Sequence, residues 1–228
     1  RSMRALGPIP DGLCAFPADF YSGHAGRGAE MLEGRFQLAG DQLDAAAGKA
    51  GIWSRSTPSR AFARSLHSFG WLRDCAAADD SGDETRRLVD AWIQSFGRWN
   101  SFAWSQEVLS ARLMNWLRSG ELLFAAPTGD DKDESRRHGA RLRCLMRQTR
   151  YLQRALPLAP DGIIRLRCAA VLTLAGLCLP GESALLKNAI SAYNHEIDRQ
   201  ILPDGGHLSR APRAVAEALI DLVTVRDV

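Results

Sequence analysis

Ile201-Leu202-Pro203-Asp204-Gly205-Gly206-His207-Leu208-Ser209-Arg210-Ala211-Pro212 is the stretch on which the reading of this chain turns. It lies between two segments of helical periodicity. It gathers a rigid proline, two adjacent glycines able to take positive φ, a carboxylate, an imidazole and a guanidinium. Two readings are open. In one, Pro203 and the glycines stop a helix, Asp204 or Ser209 caps the next, and His207 satisfies a backbone carbonyl. In the other, the loop carries chemistry through His207 and Arg210.

Outward from this loop the pattern is helical on both sides. Residues 184–201 are amphipathic, with Leu185, Leu186, Ala189, Ile190, Tyr193 and Ile197 inward, and Pro212 opens a last helix through Leu219, Ile220 and Val223. His195 and Glu196 lack the second His that a zinc-binding HExxH helix needs. Residues 163–179 are almost wholly apolar apart from Arg165, Arg167 and Thr173, which predicts a buried central helix too short and too charged to span a membrane. An acidic loop at 127–134 precedes a helix over 135–156, on which Arg143, Arg147, Arg150 and Arg154 form a basic stripe. Without interleaved exposed aromatics the stripe reads as a solvated face rather than a nucleic-acid groove; it would also suit a protein partner.

Further upstream, helices are predicted over 59–74, with Ser59 as N-cap, and over 83–96, ended by Gly97. Another is expected over 105–124, where Arg112 and Asn115 fall three apart and share a face. Between these, Arg98-Trp99-Asn100-Ser101-Phe102-Ala103-Trp104 is an aromatic, polar connector. Trp99 and Trp104 could stack on the apolar faces of sugar rings while Asn100, Arg112 and Asn115 bind hydroxyls and carboxylates; alternatively the tryptophans plug the core and Asn100 or Ser105 caps a helix. About seven helices joined by short connections predict an all-α fold of antiparallel hairpins, over residues 58–228. Residues 1–57, rich in Gly, Pro, Asp and Ser, are expected to form an irregular N-terminal arm, with a brief strand compatible with residues 34–39. Its aromatics Phe16, Phe20, Tyr21 and Trp53 either anchor it to the core or line a cleft.

Composition narrows the class further. The chain is 228 residues long, nearly half hydrophobic, with a formal charge of +3 and far more Arg than Lys, which suits an anionic ligand without singling out nucleic acid. Five widely spaced cysteines (Cys14, Cys75, Cys144, Cys168, Cys178) form neither a CxxC nor a metal-ligand cluster, so no disulfide framework and no metal site is expected. No apolar run of signal-peptide length opens the chain, which favours a soluble, cytoplasmic location over a periplasmic one.

Ala175-Gly176-Leu177, the helix over 182–200, the Leu202 to His207 loop with Arg210 and Pro212, and upstream Trp71-Leu72-Arg73, Trp104 and Ala111-Arg112-Leu113-Met114-Asn115-Trp116 carry a resemblance. Together, across roughly residues 55–226, they resemble the N-terminal helical domain of the heparinase II/III family of polysaccharide lyases. The resemblance implies an incomplete α/α toroid. Its 98–116 and 203–210 connections would open onto a shared concave rim, forming one wall of a cleft for an acidic, uronic-acid polysaccharide. Lyases of that kind work by β-elimination: the neighbouring carboxylate is neutralised, the C5 proton removed and the leaving oxygen protonated. The resemblance implies His207 and Arg210 for catalysis and supports Trp104, Arg112 and Asn115 for the substrate, beside Trp99 and Asn100 read from the connector itself. It also implies a C-terminal β-sandwich, often with a structural zinc, that this chain does not contain.

Two departures stand against it. Where the family has a Tyr-His pair after the loop proline, this sequence has Ala214 and Val215; where it has Gly-Asn-His before the buried helix, this sequence has Gly162-Ile163-Ile164. A proton carrier and a carboxylate neutraliser are thereby missing. The alternatives are a carbohydrate-binding or scaffold domain without catalysis, or a helical adaptor for a protein partner.

Overall fold

The computed structural model describes residues 9–45, 51–80, 82–127 and 129–228; the expected arm's residues 1–8 and 46–50 lie outside the described residues. The arm is more ordered than its composition predicts. It carries helix α1 (Ala25–Leu32) and an antiparallel hairpin of β1 (Arg35–Leu38) and β2 (Asp41–Asp44), in register Phe36 to Leu43. The hairpin follows from the alternation at 34–39, which sends Phe36 into the core and leaves Arg35 and Gln37 exposed. α1 has only a weak apolar pattern; His24 caps it by accepting from the Arg27 N–H, and Gly28 lets it settle on the next helices. A Cβ at Gly28 would lie 1.9 Å from the Asp74 carbonyl oxygen.

The expected helix over 59–74 is two helices, α2 (Arg60–Ser68) and α3 (Leu72–Ala78). Ser59 caps α2 as expected, accepting from the Phe62 N–H at 3.0 Å, but Phe69 adopts a left-handed φ of 60° and ends it. That turn buries the Phe69 ring, stacked against both Trp53 and Trp71, which also touch each other. Ring burial therefore outweighs the strain of positive φ. α4 (Asp83–Phe96) ends at Gly97 as read. The expected 105–124 helix is interrupted at Ser119 into α5 (Gln106–Arg118) and α6 (Gly120–Phe124).

α7 (Lys132–Ala155) begins where Asp131 accepts from the N–H groups of Asp133 and Glu134. α8 (Ile163–Cys178), α9 (Ser183–Gln200) and α10 (Pro212–Arg226) complete the chain. α8 is the central helix its composition predicted: it packs against α5, α9 and α10, and most of its residues are fully buried. Gly176 sets its closeness to α9, since a Cβ there would fall 2.8 Å from the Leu186 Cα. The protein is thus mostly helical, with ten α-helices and one small hairpin among the described residues. No described helix is long and apolar enough to cross a membrane.

Candidate functional site

The 201–211 loop is a closed circuit. Pro203-Asp204-Gly205 makes a tight turn, in which the Gly205 N–H donates to the Leu202 carbonyl and Gly205 takes a φ of 78°. Ile201 and His207 then pair as an antiparallel bridge. His207 is buried, 2% exposed. Its Nδ1 accepts from the Ser209 N–H at 3.1 Å, so its Nε2 carries the proton donated to Gln200 Oε1 at 2.9 Å. Gln200 in turn donates to Glu196. Arg210, on the solvent side, pairs with Asp204 at 2.6 Å.

The 98–116 region likewise works mostly for the core. Trp104 is buried, its indole N–H donating to the Phe96 carbonyl at 2.9 Å and its ring set edge-on to Tyr151. Arg112 is wholly buried on α5. It donates to Gln148 Oε1 at 2.6 Å and to the His67 carbonyl at 3.1 Å, with its guanidinium 4.3 Å from the Trp92 ring centre. Burial pulls its pKa down to about 9, and burial together with Arg112 lowers that of His67 to about 4. Asn100 caps its own turn, accepting from the Phe102 and Ala103 N–H groups. Trp99 is 61% exposed beside Tyr151. The basic stripe is partly spent: Arg147 donates to the Gly97 carbonyl and Arg150 pairs with Glu182.

The concavity lies elsewhere. Two adjoining cavities of about 430 and 550 Å³ share Arg27, Gly70, Asp74, Ala111, Arg167 and Glu217 and together make one cleft. The arm (Tyr21, Ser22), α3, α5 and α10 bound the first; the hairpin, α2, the start of α8 and Arg213 bound the second. Of the seven residues assigned from sequence, Asn115 lines this cleft; His207, Arg210, Trp99, Asn100, Trp104 and Arg112 do not. Asn115 donates to the Ser68 carbonyl at 2.8 Å and accepts from Arg73 at 3.0 Å. Of the two connections expected to share a rim, 98–116 reaches the cleft, through Glu107, Ala111, Met114 and Asn115, and no residue of 203–210 is among its lining.

Six guanidinia (Arg27, Arg64, Arg73, Arg118, Arg167, Arg213) face four carboxylates (Asp74, Glu107, Glu217, Asp221) in this lining, so the cleft is net positive. A chain of ion pairs crosses it from α5 through α8 to α10. Asp221 accepts from Arg118 at 3.2 Å and Arg167 at 2.9 Å, and Glu217 from Arg167 at 2.9 Å and Arg213 at 2.7 Å. Burial lowers the Arg118 pKa against the pull of Asp221. Burial also opposes the charge on Arg167, but Asp221 and Glu217 outweigh it and hold the pKa above the ordinary value. For Glu217, burial pushes up and the two arginines outweigh it, holding the carboxyl below its usual range. On the opposite wall, Asp74 accepts from the His24 N–H at 2.8 Å and from Arg27 at 3.3 Å, and the Arg73 guanidinium lies 4.5 Å over the Tyr21 ring while pairing with Asp19.

An arginine-rich lining of this kind is suited to holding an anion. Among the described residues no histidine lines either cavity, and the tyrosine that does is Tyr21, under Arg73. Ile163 and Ile164, at the place the resemblance reserves for Asn-His, contribute aliphatic surface to the second cavity. Ala214, where the family has a Tyr, is buried. None of the five cysteines is in a disulfide; burial pushes Cys144 and Cys168 up to about 11 and Cys75 and Cys178 up to about 12, far from thiolate chemistry. Among the described residues no group of three His, Cys, Asp or Glu is placed to hold a metal ion. Sequence reasoning passed over Arg27, Arg118, Arg213, Glu217 and Asp221; apart from the Arg213–Glu217 pair four residues apart on α10, their partners are remote in the chain. The available signal was Arg167, a charge in an otherwise apolar helix.

No family model matches the chain. It is similar to FtsZ-localized protein C of Caulobacter vibrioides, 34% identical over 227 residues, a match covering 96% of this chain and 37% of that protein. In fold it is similar to the crystal structure of a heparan sulfate lyase HepC mutant from Pedobacter heparinus, with a TM-score of 0.64 and 17% identity over 88% of this chain and 33% of that one. The chain thus spans about a third of the length of each. At that identity the second likeness is one of fold alone.

Proposed function

We propose that this chain is a helical scaffold domain without lyase chemistry, an incomplete α/α toroid whose cleft serves a protein partner in a protein that works where FtsZ assembles. The observation that carries this reading is the lining of the cleft. β-Elimination needs a group that takes up a proton and one that returns it, within reach of the sugar. The lining's four carboxylates are each paired with an arginine and its tyrosine lies under Arg73, while His207, the imidazole the resemblance assigns to catalysis, is buried and bonded to Gln200 and Ser209. The lyase reading has the fold in its favour and no cleft-lining imidazole. The relative at 34% identity bears a name that places it with FtsZ, which supports an assembly role over a polysaccharide one.

The test has two arms. The full-length protein incubated with a panel of uronic-acid polysaccharides should give no ultraviolet absorbance from an unsaturated uronate product, and its appearance would overturn the non-catalytic reading. A fluorescent fusion of the full-length protein should coincide with labelled FtsZ in the cell. A uniform distribution removes the assembly role.

A further inference from the structure

The cleft's second cavity combines positive charge with an aliphatic wall, and its first cavity is walled in part by a piece of the chain's own arm, Tyr21 and Ser22. The arm lays Asp19 against Arg73 at 3.3 Å and the Tyr21 ring beneath the same guanidinium, with the Tyr21 N–H turned back onto the Asp19 carboxylate. That is an acidic, aromatic peptide segment bound by one of the six arginines. Beyond it the second cavity, about 550 Å³, continues the same chemistry with Arg27 and Arg213 at its rim and Ile163 and Ile164 in its wall. Arg27 and Arg213 are 59% and 90% exposed, so each has N–H groups facing water even though Asp74 and Glu217 take one edge. A planar guanidinium with an open edge is suited to accepting a carboxylate.

The same lining is poor for a sugar. A pyranose ring is recognised by an open aromatic face, and the aromatic residues here are Tyr21 and Trp71. Arg73 takes one face of the first, which is 45% exposed; the second is 3% exposed, packed against Phe36, Phe69 and Trp53.

We propose that the cleft recognises a short acidic peptide of a partner protein, carboxylates resting on Arg27 and Arg213 and aliphatic side chains against Ile163 and Ile164. This rests on the scaffold reading above and names the chemistry of its partner. Charge supplies the encounter and its salt dependence, and the aliphatic wall supplies register along the peptide.

The probe is a fluorescein-labelled decapeptide alternating Asp with Leu, compared by anisotropy with its Lys-Leu counterpart and with a labelled heparan sulfate oligosaccharide, on the intact protein. The acidic peptide should bind and weaken with added salt, and the Lys peptide should not bind. The double variant R27E/R213E should weaken acidic-peptide binding about tenfold or more, roughly 1.4 kcal/mol per decade, with an unchanged circular-dichroism melt. Ile164→Asp, on the wall, should weaken it as well. Equal binding of both peptides, or an R27E/R213E variant that binds the acidic peptide as well as the parent, would overturn the proposal. So would an oligosaccharide that binds and is lost in R27E/R213E while the peptide does not bind. A failed peptide with no unsaturated uronate product sinks this inference alone, whereas formation of that product sinks the scaffold reading whatever the peptide does.

Discussion

The 201–211 loop and the cleft between α5, α8 and α10 hold the same kinds of side chain, arginine, carboxylate and amide, and do different work with them. In the loop every partner is near in sequence: Arg210 and Asp204 are six residues apart, His207 and Gln200 seven. In the cleft Arg118 and Asp221 are 103 residues apart, and Arg167 and Asp221 are 54. Local partners close a turn and leave nothing over. Remote partners gathered by three helices leave an excess of guanidinium on an open concave surface, and that surplus is what a ligand can meet.

Three substitutions test the contrast. The largest effect belongs to Asp221→Asn, because Arg118 and Asp221 are only 5% and 6% exposed and the change strands a buried guanidinium between α5 and α10. A loss of about 3 kcal/mol is expected in urea denaturation, and the double variant Arg118→Met/Asp221→Leu should recover much of it. A loss under about 0.5 kcal/mol would mean that the ion-pair chain does not dock α10. His207→Ala comes next. It leaves the buried Gln200 amide oxygen without its donor and should lower stability by about 1–3 kcal/mol, while acidic-peptide binding stays as it was. If peptide binding falls with the loop intact by hydrogen exchange, the loop and the cleft are one site and the contrast fails. Arg210→Ala should be the smallest, with no measurable change in the urea midpoint or in peptide binding, since its pair with Asp204 is exposed on both sides. A clear loss of binding there would place Arg210 back among the functional groups.

Much of the helical layout was legible in the chain itself. The apolar run at 163–178, the Ser59 cap, the Gly97 stop and Pro212 as a first-turn residue each act through neighbours within a turn or two, which is the range that periodicity reports. The breaks at Phe69 and Ser119 were not legible. A continuous helical pattern runs across both, and it was the burial of the Phe69 ring against Trp53 and Trp71 that made a left-handed residue worth its strain. The arm shows the same limit: its Gly- and Pro-rich composition reads as irregular, yet α1 forms where it can rest on α3.

The candidate site divides in the same way. The sequence alone determined that a helical chain rich in arginine carries a Pro-Asp-Gly-Gly-His turn, and that positions 163–164 and 214–215, where the resemblance expects a carboxylate neutraliser and a proton carrier, are aliphatic. Only the tertiary structure decided that Trp104 and Arg112 serve the core, that His207 is locked to Gln200, and that arginines from six separate segments converge on one cleft. The reason is the range of the forces involved. Helix caps and turns are set by hydrogen bonds within a few residues, whereas which face of a helix meets water, and which charges meet each other, depends on how distant helices pack.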